Sequence, residues 1–277
     1  MKLRVLYILV ALGSWAISAS ASALSVDLGT ADNFAVLAGQ THTNTGFTVI
    51  HGDVGVSPGS AFTGFPPGTV VGTMHGPDAV TLLAQNDLTN AYNFAAGETC
   101  TGDLSGQDLG GLTLTPGVYC FSGPAQLTGT LTLNALGNAN SVFVFQMVST
   151  LITANASSVV FSNGGTGDSV FWQVGSSATL GTTTSFAGNI LALTSITMNN
   201  SASIGCGRAL ARNGSVTMDT NSVSIDTQGC EASSSSIPEP GTAVLLGASL
   251  LLISLIQSGP LFQNPRCVRV SPSPRCR

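Results

Sequence analysis

Charged residues are scarce in this chain: they make up 8% of its 277 residues, against roughly 25% in average proteins. Only two of the eight basic residues, Arg208 and Arg212, lie between residues 24 and 232, and that span contains no lysine. The same span carries twelve acidic residues, so its net charge is about −10. A basic surface for nucleic acid or phosphate is therefore excluded, and recognition has to use neutral groups.

Spacings typical of metal sites and catalytic groups are also missing. No cysteine pair has a Cys-x-x-Cys spacing, so we expect no metal and no cofactor. His42, His51 and His75 have no serine, cysteine or acid at a catalytic spacing, and we predict them to be loop or edge residues. Enzymes that act on polysaccharides with a β-helix need clustered carboxylates, and the acids here are scattered. We therefore predict that the chain is not an enzyme.

The N-terminus has the pattern of a secretory signal peptide. Lys2 and Arg4 precede an apolar run, and Ala21-Ser22-Ala23 offers a small-residue cleavage site. This predicts a signal peptide over residues 1–23 and a secreted or cell-surface protein.

The C-terminus is predicted to be a sorting or membrane segment. Residues 233–240 form a polar linker that ends in Pro238-Glu239-Pro240, residues 241–257 are an apolar helix, and residues 258–277 are an Arg/Pro tail. These residues resemble the bacterial Pro-Glu-Pro sorting signal, which implies processing by a membrane protease. The arginines depart from that pattern because they are spread among prolines. A plain C-terminal membrane anchor is the alternative, so we expect membrane contact through this segment.

Six cysteines in an exported chain indicate disulfides. Cys100 and Cys120 flank a Gly-rich loop and are a candidate pair. Cys206 and Cys230 are a second candidate pair, and the remaining two cysteines follow the apolar segment.

One short pattern recurs between Thr130 and Asp226 and indicates a solenoid. Its five copies are Thr130–Asn134, Thr150–Ala154, Ser177–Gly181, Ser195–Asn199 and Ser215–Asp219. Their middle residues lie at steps of 20, 27, 18 and 20, and a Gly-rich insert lengthens one step. Because successive side chains on a strand point to opposite sides, each copy places its hydroxyl residues outward and its apolar residues inward. Stacked copies would form a flat grid of small hydroxyls.

Two further segments in each repeat predict three faces per coil. Apolar runs such as Val142–Phe145 and Val170–Trp172 recur in phase with the hydroxyl strands and predict strands that are buried on both sides. A third segment, such as Ser201–Ile204, follows each hydroxyl strand and is also rich in Ser and Thr. The third face is therefore the main rival for any function given to the hydroxyl grid. Residues 24–75 are predicted to form further coils, but the sequence does not show which of their segments belongs to which face.

One long helix is predicted at about residues 78–95. Pro77 lies at its start and Gly97 beyond its end. An apolar stripe is formed by Val80, Leu83, Ala84, Leu88, Ala91 and Ala95. Such a stripe has to be buried, and the doubly buried strands offer the surface for it.

The body from Val26 to Ile225 resembles the microbial ice-binding protein family. The resemblance is carried by the order of several segments, among them Gly52–Gly59, Leu114–Tyr119, Phe171–Val174 and Gly188–Ala192. It implies a mainly β fold: a right-handed β-solenoid of triangular cross-section over residues 24–232, with one long α-helix packed along one face. It also implies a monomer whose partners are an ice surface and ordered water.

In that family, a flat face of small residues binds ice, so the hydroxyl grid is our candidate site. The predicted ice-binding residues are Thr130, Thr132, Asn134, Thr150, Ile152, Ala154, Ser177, Thr179, Gly181, Ser195, Thr197, Asn199, Ser215, Thr217 and Asp219. Ile152 interrupts the hydroxyl grid, and Asp219 adds a charge at one edge. A cell-surface adhesin or matrix protein without ice activity is the alternative function.

Overall fold

The computed structural model describes residues 25–165 and 169–226. The predicted signal peptide, linker, apolar helix and Arg/Pro tail lie outside these residues. Within the described ranges, no helix combines the length and hydrophobicity needed to span a membrane.

The described chain contains one α-helix, one short 3₁₀ helix and many short strands. The 3₁₀ helix is Gly29–Asn33 and the α-helix, α1, is Ala79–Gly97. The strands are β1 (Phe34–Ala38), β2 (Thr41–Thr45), β3 (Val49–His51), β4 (Asp53–Val56), β5 (Ala61–Thr63), β6 (Thr69–Val71), β7 (Met74–His75), β8 (Gly102–Asp103), β9 (Thr113–Leu114), β10 (Gly117–Phe121), β11 (Ala125–Leu127), β12 (Thr130–Asn134), β13 (Phe143–Met147), β14 (Leu151–Thr153), β15 (Ser158–Ser162), β16 (Val170–Val174), β17 (Ala178–Leu180), β18 (Ser185–Ala192), β19 (Ile196–Met198), β20 (Ser203–Ala211), β21 (Val216–Asp219) and β22 (Ser222–Ser224).

The strands stack in parallel on three faces, which confirms the predicted β-solenoid. Face A, which carries α1, consists of β7, β4, β1, β16, β13, β10, β8 and the second halves of β20 and β18. Face B is a separate seven-stranded sheet in the order β11-β14-β17-β19-β21-β2-β5. Face C consists of β6, β3, β22, β15, β12, β9 and the first halves of β20 and β18. Each coil crosses the faces in the order A, B, C.

The N-terminal coils stack on the last C-terminal coil, so the solenoid is discontinuous in sequence. Strand β1 pairs with β20, β2 with β21, and β3 with β22. Residues 34–75 therefore cover a strand edge that residues 203–224 would otherwise leave unpaired. These pairings show which face each strand of residues 34–75 belongs to, which the sequence alone did not indicate.

Large apolar side chains fill the interior of the coils. The rings of Phe145 and Trp172 stack with centroids 3.9 Å apart, and Phe186 packs on the other side of Trp172 at 4.9 Å. The Trp172 indole donates to the Ala187 carbonyl at 3.1 Å, so its polar atom is satisfied inside the core. The doubly buried strands pair in register on face A, as predicted, with Phe145 opposite Trp172 and Trp172 opposite Ile190.

Helix α1 lies along face A, and its existence and position confirm the prediction. Asp78 and Thr81 form a capping box at its start. The prediction of a buried stripe is wrong for two of its residues, because Val80 and Leu83 are each 49% exposed. The buried side of the helix is turned toward Gln85 and Tyr92 instead. Apolar spacing alone missed this rotation because the packed surface includes polar side chains that bond to face A.

The two basic residues of the body hold the helix and the N-terminal segment on face A. Arg208 is buried and forms an ion pair with Asp32 at 2.9 Å, next to the 3₁₀ helix. Arg212 lies 4.6 Å from the centre of the Tyr92 ring and donates to Thr89 Oγ1 at 3.2 Å. Both guanidinium groups therefore bind the protein itself.

The predicted Cys100–Cys120 disulfide is confirmed. The two Cα atoms lie 5.9 Å apart, and the bond ties the segment after α1 to β10 on face A. Cys206 is buried, but Cys230 lies outside the described residues, so the second pairing stays a prediction.

Candidate functional site

Four of the five hydroxyl repeats lie side by side on face B. Strands β14, β17, β19 and β21 pair in register, with Ile152 opposite Thr179 and Thr179 opposite Thr197. The predicted residues on this face are Thr150, Ile152, Ala154, Ser177, Thr179, Gly181, Ser195, Thr197, Asn199, Ser215, Thr217 and Asp219.

The remaining repeat, Thr130–Asn134, comes first in the sequence and was assigned to the wrong face. Thr130, Thr132 and Asn134 belong to β12, which pairs with β15 and β9 on face C. The face B strand of that coil is β11, which places Gln126 opposite Ile152. Alternating hydroxyl and apolar residues occur on both faces, so the pattern alone could not separate them.

The face A strands carry the signal that would have corrected this assignment. Tyr119 pairs with Phe145, and Phe145 with Trp172, which gives steps of 26 and 27 residues for the two long coils. The predicted step of 20 residues from Thr132 to Ile152 therefore joined face C of one coil to face B of the next.

A central file of threonines on face B is longer than the sequence indicated. Here a file means the outward residues that follow one another across successive strands. Pairing continues from Thr217 to Thr43 and from Thr43 to Thr63, both in the N-terminal coils. The central file is Gln126, Ile152, Thr179, Thr197, Thr217, Thr43 and Thr63. Five consecutive threonines thus occupy neighbouring rungs, and two of them were missed because residues 24–75 could not be phased.

A second file of hydroxyls runs beside the central file and is held by hydrogen bonds. Thr41 Oγ1 donates to Ser215 Oγ at 2.8 Å. The backbone N–H of Ser215 donates to Ser195 Oγ at 3.1 Å, and that of Ser195 donates to Ser177 Oγ at 3.3 Å. These contacts fix side-chain positions before any ligand is present.

The third file forms the margin of face B next to face C. It contains Ala154, Gly181, Asn199, Asp219 and Thr45. A Cβ on Gly181 would lie 2.6–2.7 Å from backbone atoms of Thr153 and Ala154, so glycine permits close stacking of the coils there. Asp219 is the one charged residue among the described strands of face B, and it lies at this margin.

Apart from Asp219 at its margin and Gln126 and Ile152 at one end of the central file, face B is a regular surface of small neutral side chains. Rungs about 4.8 Å apart and alternate residues about 6.7 Å apart give an area of about 30 Å by 13 Å. Side chains that stand out from this plane are short, and threonine is further restricted because its β-branch limits χ1.

The coil behind Thr41 and Thr43 contains a buried histidine. His42 is fully buried, stacks on Phe62 at 5.2 Å, and its Nε2 hydrogen-bonds the Gly55 carbonyl at 2.6 Å. Burial lowers the pKa of His42 to about 4, and the bond to Gly55 opposes this shift. The prediction of a loop or edge residue is wrong for His42, which is a neutral core residue.

The other two histidines lie nearer the surface. His51 is exposed, but it lies on β3, which pairs with β22 on one side and β6 on the other, so the prediction of a loop or edge residue is wrong for it as well. His75 lies 3.7 Å from the Asp53 carboxylate and 3.3 Å from that of Asp78. Asp78 already caps α1, and the Thr81 backbone N–H lowers the pKa of its carboxyl. In residues 25–165 and 169–226, no three His, Cys, Asp or Glu side chains are grouped as a metal site would require.

Comparison with known proteins assigns the fold to a family. A family model described as ice-binding-like matches residues 36–224, which include every strand of faces B and C. The chain belongs to the ice-binding-like family. Among relatives in this family, an ice-binding protein from Nostoc sp. (strain HG1) is 53% identical over 251 residues, which are 90% of this chain and 93% of that protein. One from Flavobacterium frigoris (strain PS1) is 34% identical and covers 72% of this chain and 76% of its own length.

Solved structures of the family share the architecture. The crystal structure of an ice-binding protein from an Antarctic biological consortium matches with a TM-score of 0.70 and 48% identity, covering 72% of this chain and 90% of that one. That of an ice-binding protein from Antarctomyces psychrotrophicus matches with a TM-score of 0.71 and 41% identity, covering 73% of this chain and 99% of that one.

Proposed function

We propose that this protein is an exported ice-binding protein that adsorbs to ice through face B and thereby inhibits ice growth and recrystallisation. The observation that carries the proposal is the file of five threonines in neighbouring rungs on a regularly paired, nearly uncharged sheet. Membership of the ice-binding-like family supports it.

Face B has the physical properties that recognition of ice requires. Ice offers no charge and no cavity, so a binder needs area, flatness and a regular repeat. Each threonine supplies a methyl group that excludes water and a hydroxyl that anchors it. Waters held between rungs can then join the crystal surface, and an array that is ordered in advance lowers the entropic cost of binding.

The binding residues that we propose are those of the three files on face B. They are Thr150, Ile152, Ala154, Ser177, Thr179, Gly181, Ser195, Thr197, Asn199, Ser215, Thr217 and Asp219, with Thr41, Thr43, Thr45 and Thr63 added from the N-terminal coils. We propose that the protein acts by adsorption, as a monomer, without catalysis, cofactor or metal.

Attachment to a cell surface is compatible with this function. The last described strand, β22, lies on face C, and the Ile225 N–H donates to the His51 carbonyl on the same face at 3.2 Å. The described chain therefore ends on face C and not on face B. We propose secretion through the signal peptide and attachment or protease processing at the Pro-Glu-Pro segment, so that an attached form would hold its cell on ice.

A pair of variants tests which face binds. Thr197→Tyr places a bulky ring in the centre of face B, and Ser222→Tyr places the same ring on face C of a neighbouring coil. We expect Thr197→Tyr to abolish recrystallisation inhibition and Ser222→Tyr to retain it, while both keep the circular dichroism spectrum of the wild type. Full activity of Thr197→Tyr together with loss in Ser222→Tyr would move the site to face C. A wild type that fails to adsorb to ice, with binding to carbohydrate instead, would refute the proposed function.

A further inference from the structure

A buried asparagine lies where face B meets face C and where the N-terminal coils meet the C-terminal ones. Asn221 stands in the turn between β21 and β22 and is 4% exposed. We propose that Asn221 is a positioning residue whose side-chain amide holds Asn199 and Asp219, at the margin of face B, in register in the coil on which the N-terminal coils stack. The inference rests on the proposed function, since it concerns the same surface.

The side chain of Asn221 fixes the backbone of two neighbouring rungs. Its Nδ2 donates to the carbonyls of Asn199 at 2.8 Å and Ala202 at 2.9 Å, in the preceding coil. Its Oδ1 accepts the backbone N–H of Asp219 in its own coil. Asn199 and Asp219 are consecutive members of the third file, so one amide sets the spacing between them.

The backbone of Asn221 reaches the opposite way, into the N-terminal coil. Its N–H donates to Thr48 Oγ1 at 3.0 Å, and its carbonyl accepts the Val49 N–H at 2.9 Å. Residues 48 and 221 are 173 positions apart in sequence. On face B the same junction lies between Thr217 and Thr43, in the middle of the threonine file. Because no continuous chain joins these two rungs, their register depends on contacts of this kind.

Other coils have fewer side-chain hydrogen bonds at the equivalent corner. Ser157 Oγ donates to the Leu127 carbonyl at 2.9 Å and accepts the Gly129 N–H at 3.3 Å. Thr184 Oγ1 bonds to the Ala154 carbonyl at 3.2 Å and to Thr153 Oγ1 at 2.9 Å. Each of these side chains makes two hydrogen bonds, whereas the side chain of Asn221 makes three. The residue at this corner of the preceding coil, Ala202, has only a methyl group, which leaves room for the Asn221 amide. Among these corners, the one with the most side-chain hydrogen bonds thus belongs to the coil that borders the discontinuous junction.

Three variants of the full-length chain separate positioning from general stability. Asn221→Ala removes both donors to the preceding coil. Val223→Ala, in the adjacent strand β22, truncates a fully buried core residue and leaves the corner hydrogen bonds intact. Asn221→Thr introduces the residue found at Thr184 and restores one bond. The measurement is the lowest protein concentration that stops ice recrystallisation, with thermal unfolding followed in parallel to show that each variant is folded at 0 °C.

We expect Asn221→Ala to need several times more protein than the wild type, because the loss of three side-chain hydrogen bonds loosens the margin of face B, and Asn221→Thr to fall between the two. Val223→Ala should match the wild type, although its unfolding temperature falls. Equal activity of Asn221→Ala and Val223→Ala would overturn the inference. If Asn221→Ala does not fold, the comparison is made between Asn221→Thr and Val223→Ala. Lower activity in Asn221→Thr than in Val223→Ala supports the inference, and equal activity of these two variants overturns it. If the wild type does not inhibit ice recrystallisation in the same assay, the proposed function itself is refuted.

Discussion

Faces B and C are built from the same coils and carry similar numbers of hydroxyls, yet they differ in regularity. The central file of face B has five consecutive threonines. The first file of face C also has five consecutive hydroxyl residues, but only the first, Thr130, is a threonine. The other four are Ser158, Ser185, Ser203 and Ser222, and Val49 then interrupts the file before Thr69. Its neighbouring file contains Val160, the buried Ala187, His51 and Val71.

The difference shows that hydroxyl content does not define the candidate surface. Serine has no methyl group and a freer χ1 angle than threonine, so a serine file is less ordered and less apolar. The sheet that contains face C also shifts register between Ala187 and Gly188, at the end of that face. Face B has an unbroken run of five threonines between two parallel files, whereas face C has one file made mostly of serines beside an irregular one.

The largest effect is expected from a bulky residue in the N-terminal part of face B. Thr43→Tyr should abolish ice adsorption, because the ring would prevent contact across the middle of the threonine file. Val49→Tyr is the matched control on face C of the same coil and should retain adsorption. Adsorption to a growing ice crystal, measured with labelled protein, checks both. Retained adsorption in Thr43→Tyr would restrict the site to the C-terminal coils.

Acid should weaken the coil behind face B through His42. The pKa of His42 is about 4 in the folded protein and about 6.5 when unfolded, so the unfolded chain binds more protons between these values. The free energy of unfolding is highest above pH 6.5, where His42 is neutral in both states. It falls by about 3 kcal/mol in total as the pH drops toward 4.

Urea unfolding of the wild type between pH 4 and pH 7.5 measures this slope. His42→Phe keeps a ring next to Phe62 and cannot titrate, so its stability should change less over the same range. An identical slope in both proteins would show that another group causes the acid effect.

A smaller effect is expected from completing the threonine file. Ile152 is 43% exposed and stands beside Thr179, so Ile152→Thr extends the file to six residues. We expect a modest gain in recrystallisation inhibition, since one more rung gains an anchored water. Val160→Thr makes the same kind of change on face C and should leave activity unchanged. Equal gains in both variants would mean that any added hydroxyl helps, wherever it lies.

The smallest effect is expected at the charged margin. Asp219→Asn removes the charge from the third file and keeps the side-chain shape, so ice activity should stay equal or rise slightly. Asp103→Asn, in β8 on face A, is the control for net charge. Ice adsorption at low and moderate salt measures the effect, and a large loss in Asp219→Asn alone would make the carboxylate part of the binding surface.

The sequence predicted the fold more completely than it predicted the residues of face B. Strand periodicity and the order of segments were sufficient for the three-faced solenoid, and the caps around residues 78 and 97 located α1. The placement of Thr130–Asn134 failed because strands on faces B and C alternate in the same way. Thr43 and Thr63 were missed because their partners, such as Thr217, are distant in sequence, and parallel pairing over that distance leaves no local pattern. His42 was misplaced because burial of a neutral imidazole depends on Phe62 and Gly55, which lie in other strands.

A high-resolution diffraction map of the ordered water on faces B and C should distinguish the two faces. The proposed function requires face B to order water in a repeat that ice can adopt. It predicts waters between the central and second files, one for each rung from Thr179 to Thr63, at a spacing of about 4.8 Å. Face C should show scattered waters in the same map. Equally regular rows on face C, or scattered water on face B, would contradict the account.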